Sequence, residues 1–326
     1  MRPVGRRLAP ALLAGLVAGL LAACGTTEPP ADAPPPPAAG GPVSFTDMRG
    51  TRIDLPAPAS RVVALEWNVA EHAVSLGVMP VGVADVEGYG KWVKAEPLDA
   101  SVTDVGVRGE PSVDSIAALR PDLILATDEL PDSAVGQMQK LAPVAFVPGG
   151  AAGDGYGQMQ RNLELVATAT GRQDEAAQLL AALDATIAQG KAALAARSGT
   201  AFLFADGYVE GSQVSIRPFG TGSLISDVTE RLGLENAWTE PGDAVYGLGQ
   251  TDVEGLTRVG DATFLYIAND GDGGDPFTTV LATNPVWTSL PFVKDGDTHR
   301  LPDGIWMFGG PTSMQRYVDA VVADLT

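Results

Sequence analysis

The chain has 326 residues, 45% of them apolar, with 39 Gly and 25 Pro, so it is long enough for two globular lobes and too apolar to be disordered throughout. Its 21 Lys and Arg face 40 Asp and Glu, and the formal charge of -19 repels a phosphate backbone unless cations cluster, which they do not after residue 7, so nucleic acid is not an expected partner. A single Cys excludes a disulfide framework or a Cys-rich metal centre, and two His, His72 and His299, leave little for imidazole ligation. No resident metal and no cofactor are expected.

Arg2, Arg6 and Arg7 precede an apolar run from Leu8 to Ala23, slightly short of a full bilayer span, which reads as a secretory signal over residues 1–23. The run ends in Leu21-Ala22-Ala23-Cys24 and resembles the lipobox of bacterial lipoproteins, in which Cys24 is lipidated and becomes the new N-terminus. A plain membrane anchor, or an ordinary signal with an accidental Cys, is the alternative. Residues 24–42 are rich in Pro and Ala with almost no large apolar side chain, the composition of a semi-extended tether. The expected location is extracytoplasmic, held to the cell membrane by lipid.

From Val43 short apolar runs alternate with helical segments, the pattern of stacked β-α units around mainly parallel sheets. Phe45 to Leu55 reads as a hairpin turning at Arg49-Gly50. Strands are expected at Arg61–Leu65, Pro80–Ala84, Leu123–Ala126 and Val144–Val147, and helices at Val69–Leu76, Val113–Leu119 and Ala134–Leu141. Gln173 to Arg197 is a long stretch without Pro, with Leu179, Leu180, Leu183, Ile187 and Leu194 on one helical face and Gly190 as its weak point. A second α/β region follows, with a strand at Ala201–Ala205, a helix at Leu224–Leu232, a strand at Phe264–Ala268 and a last helix at Ser313–Leu325. The fold class is therefore α/β, two Rossmann-like lobes (43–171 and 199–326) bridged by a single long helix (172–198), with the cleft between lobes as the default ligand site. A stiff connecting rod implies small closure on binding.

Several stretches in order are similar to bacterial periplasmic binding proteins for iron siderophores, above all the ferric hydroxamate-binding family of ABC importers. They include Arg61-Val-Val-Ala-Leu-Glu-Trp67, Pro80-Val-Gly-Val-Ala-Asp85, Lys91-Trp-Val93, Asp104-Val-Gly-Val-Arg-Gly-Glu-Pro111, Gly220-Thr-Gly-Ser-Leu224, Leu290-Pro-Phe-Val293 and Ile305-Trp-Met-Phe-Gly309. The resemblance spans nearly all of residues 43–326. It implies a monomeric, non-enzymatic receptor that captures a ferric siderophore and hands it to an ABC permease. A tris-hydroxamate already surrounds its iron with six oxygens, so the protein needs donors for those oxygens and flat rings for the organic frame, not metal ligands.

By this resemblance Arg108 is the cleft arginine, its alternative being a surface Arg paired with Glu110. Trp92, Trp306 and Tyr246 match cleft aromatics; the first two sit in loop-like settings unsuited to a core. The family carries a ligand-donating Tyr after its fourth strand, where this chain has Ala126-Thr-Asp-Glu-Leu130, so either Thr127 is a smaller donor or the siderophore differs in shape. Arg217 is either a second cleft cation or a surface residue. Relatives dock on Arg residues of the permease through one acid per lobe, and Glu71 and Asp227 occupy the matching places, with Glu230 one turn beyond Asp227.

Gly220-Thr-Gly-Ser lacks the Lys of a phosphate loop, and Asp270-Gly-Asp-Gly-Gly-Asp275 lacks the closing Glu of a calcium loop, so they read as a turn and a flexible acidic loop. The rivals are a receptor for another iron chelate, haem or a corrinoid in the same fold, and an exported siderophore hydrolase or reductase, for which no nucleophile-base pair or redox site stands out.

Overall fold

The computed structural model describes residues 40–127, 130, 132–211 and 213–326; the signal, Cys24 and most of the tether lie outside the described residues. The first folded element is the expected hairpin, β1 (Val43–Thr46) against β2 (Arg52–Leu55). Its turn is closed by Asp47, whose Oδ1 accepts the N–H groups of Arg49 (3.0 Å) and Thr51 (2.9 Å), while Gly50 takes the left-handed φ of 75°.

Chain order then runs β3 (Val62–Ala64), α1 (Trp67–Ser75), β4 (Gly82–Val83), α2 (Val86–Trp92), β5 (Thr103–Asp104) and a small hairpin of β6 (Gly106–Val107) and β7 (Glu110–Pro111). It continues through α3 (Val113–Leu119), β8 (Leu123–Ala126), α4 (Asp132–Met138), β9 (Val144–Phe146) and α5 (Gly155–Thr170). The order β5-β4-β3-β8-β9 forms a sheet that is parallel throughout, as short fully buried Val, Ile, Leu and Ala runs require. α2 escapes a periodicity reading because two of its seven residues are Gly. It starts instead on a local signal: Asp85, at a φ of 55°, accepts the Gly88 N–H at 3.0 Å.

The long helix α6 (Gln173–Ala193) links this sheet to a second one. Leu183, Ile187 and Leu194 are buried, and Leu179 and Leu180 are partly so. Gly190 is a packing residue here, because a Cβ on it would lie 2.8 Å from Leu232 and 2.9 Å from Val318. β10 (Ala201–Glu210), β11 (Gln213–Pro218), α7 (Leu224–Arg231), β12 (Glu235–Asn236), β13 (Thr263–Ile267), α8 (Pro291–Lys294), β14 (Thr298–Leu301) and α9 (Pro311–Leu325) complete the chain. In the second sheet β10, β13 and β14 run parallel, β12 joins the start of β10, and β11 adds an antiparallel edge.

Each central strand sends alternate residues to opposite faces. Phe202 and Phe204 of β10 and Leu265 and Ile267 of β13 enter a core shared with Val62, Ala64 and Leu183, whereas Leu203, Phe264 and Tyr266 pack on the other face. The shared core runs from the first sheet through α6 to the second. Among the described residues no helix is long and apolar enough to cross a membrane.

Candidate functional site

Loops at the carboxyl ends of parallel strands in both sheets meet in a cleft of about 630 Å³. This is where α/β sheets place ligands, because the turn from strand to helix exposes backbone and side chains there while the sheet itself stays packed. Leaving β3, the chain puts Glu66 at the N-cap of α1 and Trp67 and Asn68 in its first turn. In the second lobe, β10 contributes Asp206 and Tyr208, and the chain leaving β13 contributes Ala268 and Asn269.

Arg108 sits at the tip of the β6–β7 hairpin, between Gly106 (φ 103°) and Gly109 (φ 82°). Its Nη1 donates to Glu66 Oε1 at 2.6 Å, and its guanidinium lies 3.8 Å over the Trp67 ring. The partner is Glu66, not Glu110. One nitrogen is engaged in this bond, and the planar fork carries further N–H donors. Arg217 mirrors this in the second lobe. Its Nε donates to Asp206 Oδ1 at 2.9 Å and its Nη2 to Asp206 Oδ2, and the side chain stays 37% exposed in the cleft. Burial pushes the Asp206 carboxyl above its ordinary range, and the Arg217 guanidinium opposes that shift.

Aromatic rings form the rest of the lining. Trp306 is a loop residue and also buried, with its ring centroid 4.9 Å from Trp67, 6.2 Å from Trp92 and 5.1 Å from Phe308. Tyr246 meets Phe308 edge-on at 5.0 Å. It is set by Asp243, whose carboxylate accepts the N–H groups of Val245, Tyr246 and Leu248; burial would raise this carboxyl, but those donors outweigh it and hold it below its ordinary range. Gly149 and Gly150 of the first lobe make room for the Tyr246 ring, which occupies the space of their missing side chains. Edge-to-face pairs of this kind are worth about 0.5–1.5 kcal/mol each beyond area burial, so the rings are held in place before any ligand arrives. At the rim, Trp92 Nε1 donates to Asp272 Oδ2 at 2.7 Å and Asn269 Nδ2 to the Lys91 carbonyl at 2.8 Å, linking the lobes.

Arg108, Trp92, Trp306, Tyr246 and Arg217 thus share one cleft, and Arg217 faces it rather than the outer surface. Thr127 does not join them. It is buried just past β8 and is not a lining residue, so the expectation that its hydroxyl replaces the family Tyr is corrected; the second lobe's Tyr208 is the additional phenol in this cleft. Sequence reasoning also missed Glu66, Trp67 and Phe308, which stand inside the quoted motifs, and Asp206, which no motif marks. In the acidic loop Arg300 bonds Asp270 at 2.7 Å and Asp275 is buried, while residues 270–273 are exposed. Among the described residues no three acidic, His or Cys side chains are grouped to hold a metal ion.

The docking expectation for Glu71 is overturned. Glu71 is fully buried, and its carboxylate accepts the Ser313 N–H (3.1 Å), the Ser313 hydroxyl (2.9 Å) and the Thr312 hydroxyl (3.1 Å) at the first turn of α9. The N-cap of α9 is Gly310, which has no side chain to close the helix, so a carboxylate from the other lobe does so. Asp227 is the reciprocal case. Half-buried on α7, it accepts the Tyr156 N–H at 3.0 Å in the first turn of α5, whose own N-cap Asp154 makes no capping bond. Both acids bond across the seam between lobes; Glu71 is shut off from any outside partner, whereas Asp227 stays partly exposed. Burial lifts the Glu71 carboxyl to about 7 against its hydrogen bonds, and lowers the neighbouring His72, whose Nδ1 is buried without a hydrogen-bond partner, to about 4.

The chain is similar to the iron(3+)-hydroxamate-binding protein FhuD of Escherichia coli, at 28% identity over 79% of this chain and 84% of that protein. It is 26% identical to the Fe(3+)-citrate-binding protein YfmC of Bacillus subtilis, over 76% of this chain and 74% of that one. Its fold matches the crystal structure of Fe3+–Desferal-bound FhuD from Vibrio cholerae with a TM-score of 0.73, at 27% identity, over 82% of this chain and 97% of that chain. Residues 62–303 match the family model described as periplasmic binding protein, and the chain belongs to that family.

Proposed function

We propose that this protein is a lipid-anchored extracytoplasmic receptor that captures a ferric siderophore of the hydroxamate class and passes it to the permease of an ABC importer. The observation that carries this reading is a cleft walled by Trp67, Trp92, Trp306, Tyr246, Tyr208 and Phe308, with Arg108 and Arg217 facing it from opposite lobes. Rings of this kind bury an organic frame, and the two guanidiniums donate to hydroxamate oxygens on the outside of a caged iron. The hydroxamate-binding name of the Escherichia coli relative and the Fe3+–Desferal bound to the siderophore-binding protein of Vibrio cholerae support the same class. Ferric citrate, the cargo named for the Bacillus subtilis relative, is anionic, whereas each cleft guanidinium here is already matched by a carboxylate. The protein acts as a monomer, needs no resident cofactor and does not transform its cargo.

Three of the five Trp line the cleft, so intrinsic fluorescence reads it directly. Titration with ferric trihydroxamates should quench emission with sub-micromolar affinity, and ferric citrate should act only at much higher concentration. No response to any trihydroxamate would retire this reading, and conversion of the chelate, seen by mass spectrometry, would retire its non-enzymatic part.

A further inference from the structure

Among the described residues, those lining the cleft carry two guanidiniums, on Arg108 and Arg217, and three carboxylates, on Glu66, Asp206 and Asp272. Arg108 is paired with Glu66, and Arg217 with Asp206. The remaining charge is Asp272, exposed at the rim, where one oxygen accepts the Trp92 Nε1–H. Lys91 is close enough to feel Asp272, but its ammonium bonds Glu87 at 3.0 Å. The surplus carboxylate therefore stands beside the ring of Trp92, and Trp306 lies behind that ring at 6.2 Å. Asp272 stands at the N–H edge of the Trp92 indole, and an ammonium group paired with it can lie over the electron-rich face of that ring, where the quadrupole stabilises a cation. The field of the whole chain, with a formal charge of -19, acts in the same direction.

We propose that the cleft selects its cargo by charge, favouring a ferric trihydroxamate that carries a pendant ammonium over neutral and anionic cages of the same size, with Asp272 and the Trp92 face as the receiving groups. This rests on the hydroxamate reading given above. It names the cargo more narrowly: a trihydroxamate with a free primary amine.

Iron-loaded Desferal, its N-acetyl derivative and its N-succinyl derivative present the same iron cage with terminal charges of about +1, 0 and -1 at neutral pH. Tryptophan quenching by each, with the purified protein at low salt, should give affinities in that order, the free amine binding about five- to tenfold more tightly than the acetyl form. Added salt should compress the ratio. In Asp272→Asn, which keeps an oxygen for the Trp92 N–H, the amine-to-acetyl ratio should fall to about one; a general loosening of the cleft would weaken both ligands without changing their ratio. Equal affinities for the three chelates, or an unchanged ratio in the variant, would overturn charge selection while leaving the hydroxamate reading standing. Failure of all three to bind would overturn both.

Discussion

Replacing Glu71 by Gln tests the seam between the lobes through its proton linkage. The Glu71 carboxyl is lifted from 4.5 to about 7, chiefly by complete burial, so the folded state holds a proton that the unfolded chain gives up between those two values. The stabilisation is complete below pH 4.5 and is lost as pH rises through 7. At 1.36 kcal/mol per pH unit this amounts to about 3 kcal/mol. His72 runs the other way. Its imidazole, held near 4 rather than 6.5 by burial, contributes stability that is present above pH 6.5 and lost as pH falls through 4. Between pH 4.5 and 6.5 the two slopes oppose each other, so the wild-type profile conceals both. Glu71→Gln removes one of them. The Gln amide still accepts the Ser313 N–H, and Ser313 Oγ can turn to accept from the amide nitrogen, so the cap of α9 survives. Urea unfolding from pH 4.5 to 7.5 should show the variant gaining about 3 kcal/mol on wild type as pH rises, and losing stability steeply below pH 6.5 as His72 is exposed. Parallel profiles for the two proteins would refute the placement of an ionising carboxyl in this seam.

Arg108→Ala removes a charge-assisted donor and should weaken cargo binding by about 1.5–3 kcal/mol, roughly 10- to 150-fold by fluorescence titration. It also leaves the nearly buried Glu66 carboxylate without its cation, so melting should fall, and adding Glu66→Gln should restore melting without restoring affinity. Gly149→Ala puts a methyl group where the Tyr246 hydroxyl stands, so the ring must leave the cleft wall; binding should drop several-fold at nearly constant melting temperature, and unchanged binding would remove Tyr246 from the site. Loading with cargo should leave the radius of gyration from small-angle scattering within about 1 Å, because the core continues from sheet to sheet through α6; a larger contraction would disprove a stiff frame.

Much of the frame was legible because its elements are strongly patterned. β8, α3 and the start of α6 fall where apolar runs and periodicity place them, and the hairpin turns at Gly50 as its composition requires. The cleft was legible in part. Arg108 lies in a Gly-flanked loop as its sequence context signals, whereas Trp92 ends helix α2 and Trp306 is packed into the core edge; the resemblance, not the local context, brought the two rings to the cleft. What stayed hidden depends on pairing across sequence distance. Nothing near Glu66 says that Arg108, 42 residues on, closes over it, nor does any local feature join Asp206 to Arg217 across the β10–β11 pair. Thr127 and Glu71 are polar residues at a strand end and on the second turn of a helix, positions that read as exposed until tertiary packing buries them. Glu71 is buried because α9, 240 residues later in the chain, brings Ser313 against it.

The two seam acids show why polarity misleads at an interface between lobes. A helix start leaves N–H groups that must find acceptors, and both α5 and α9 begin without a capping side chain of their own. The cheapest local remedy is a Ser or Asp at the N-cap, which would leave each lobe self-sufficient. Here each lobe instead takes its acceptor from the other, Glu71 for α9 and Asp227 for α5, so separating the lobes would strand donors on one side and carboxylates on the other. At the cleft rim the lobes are joined as well, by the Trp92 Nε1–H bond to the Asp272 carboxylate and the Asn269 bond to the Lys91 carbonyl. The lobes therefore share polar bonds both beneath the cleft and at its rim, and parting them at either place leaves donors and carboxylates without their partners.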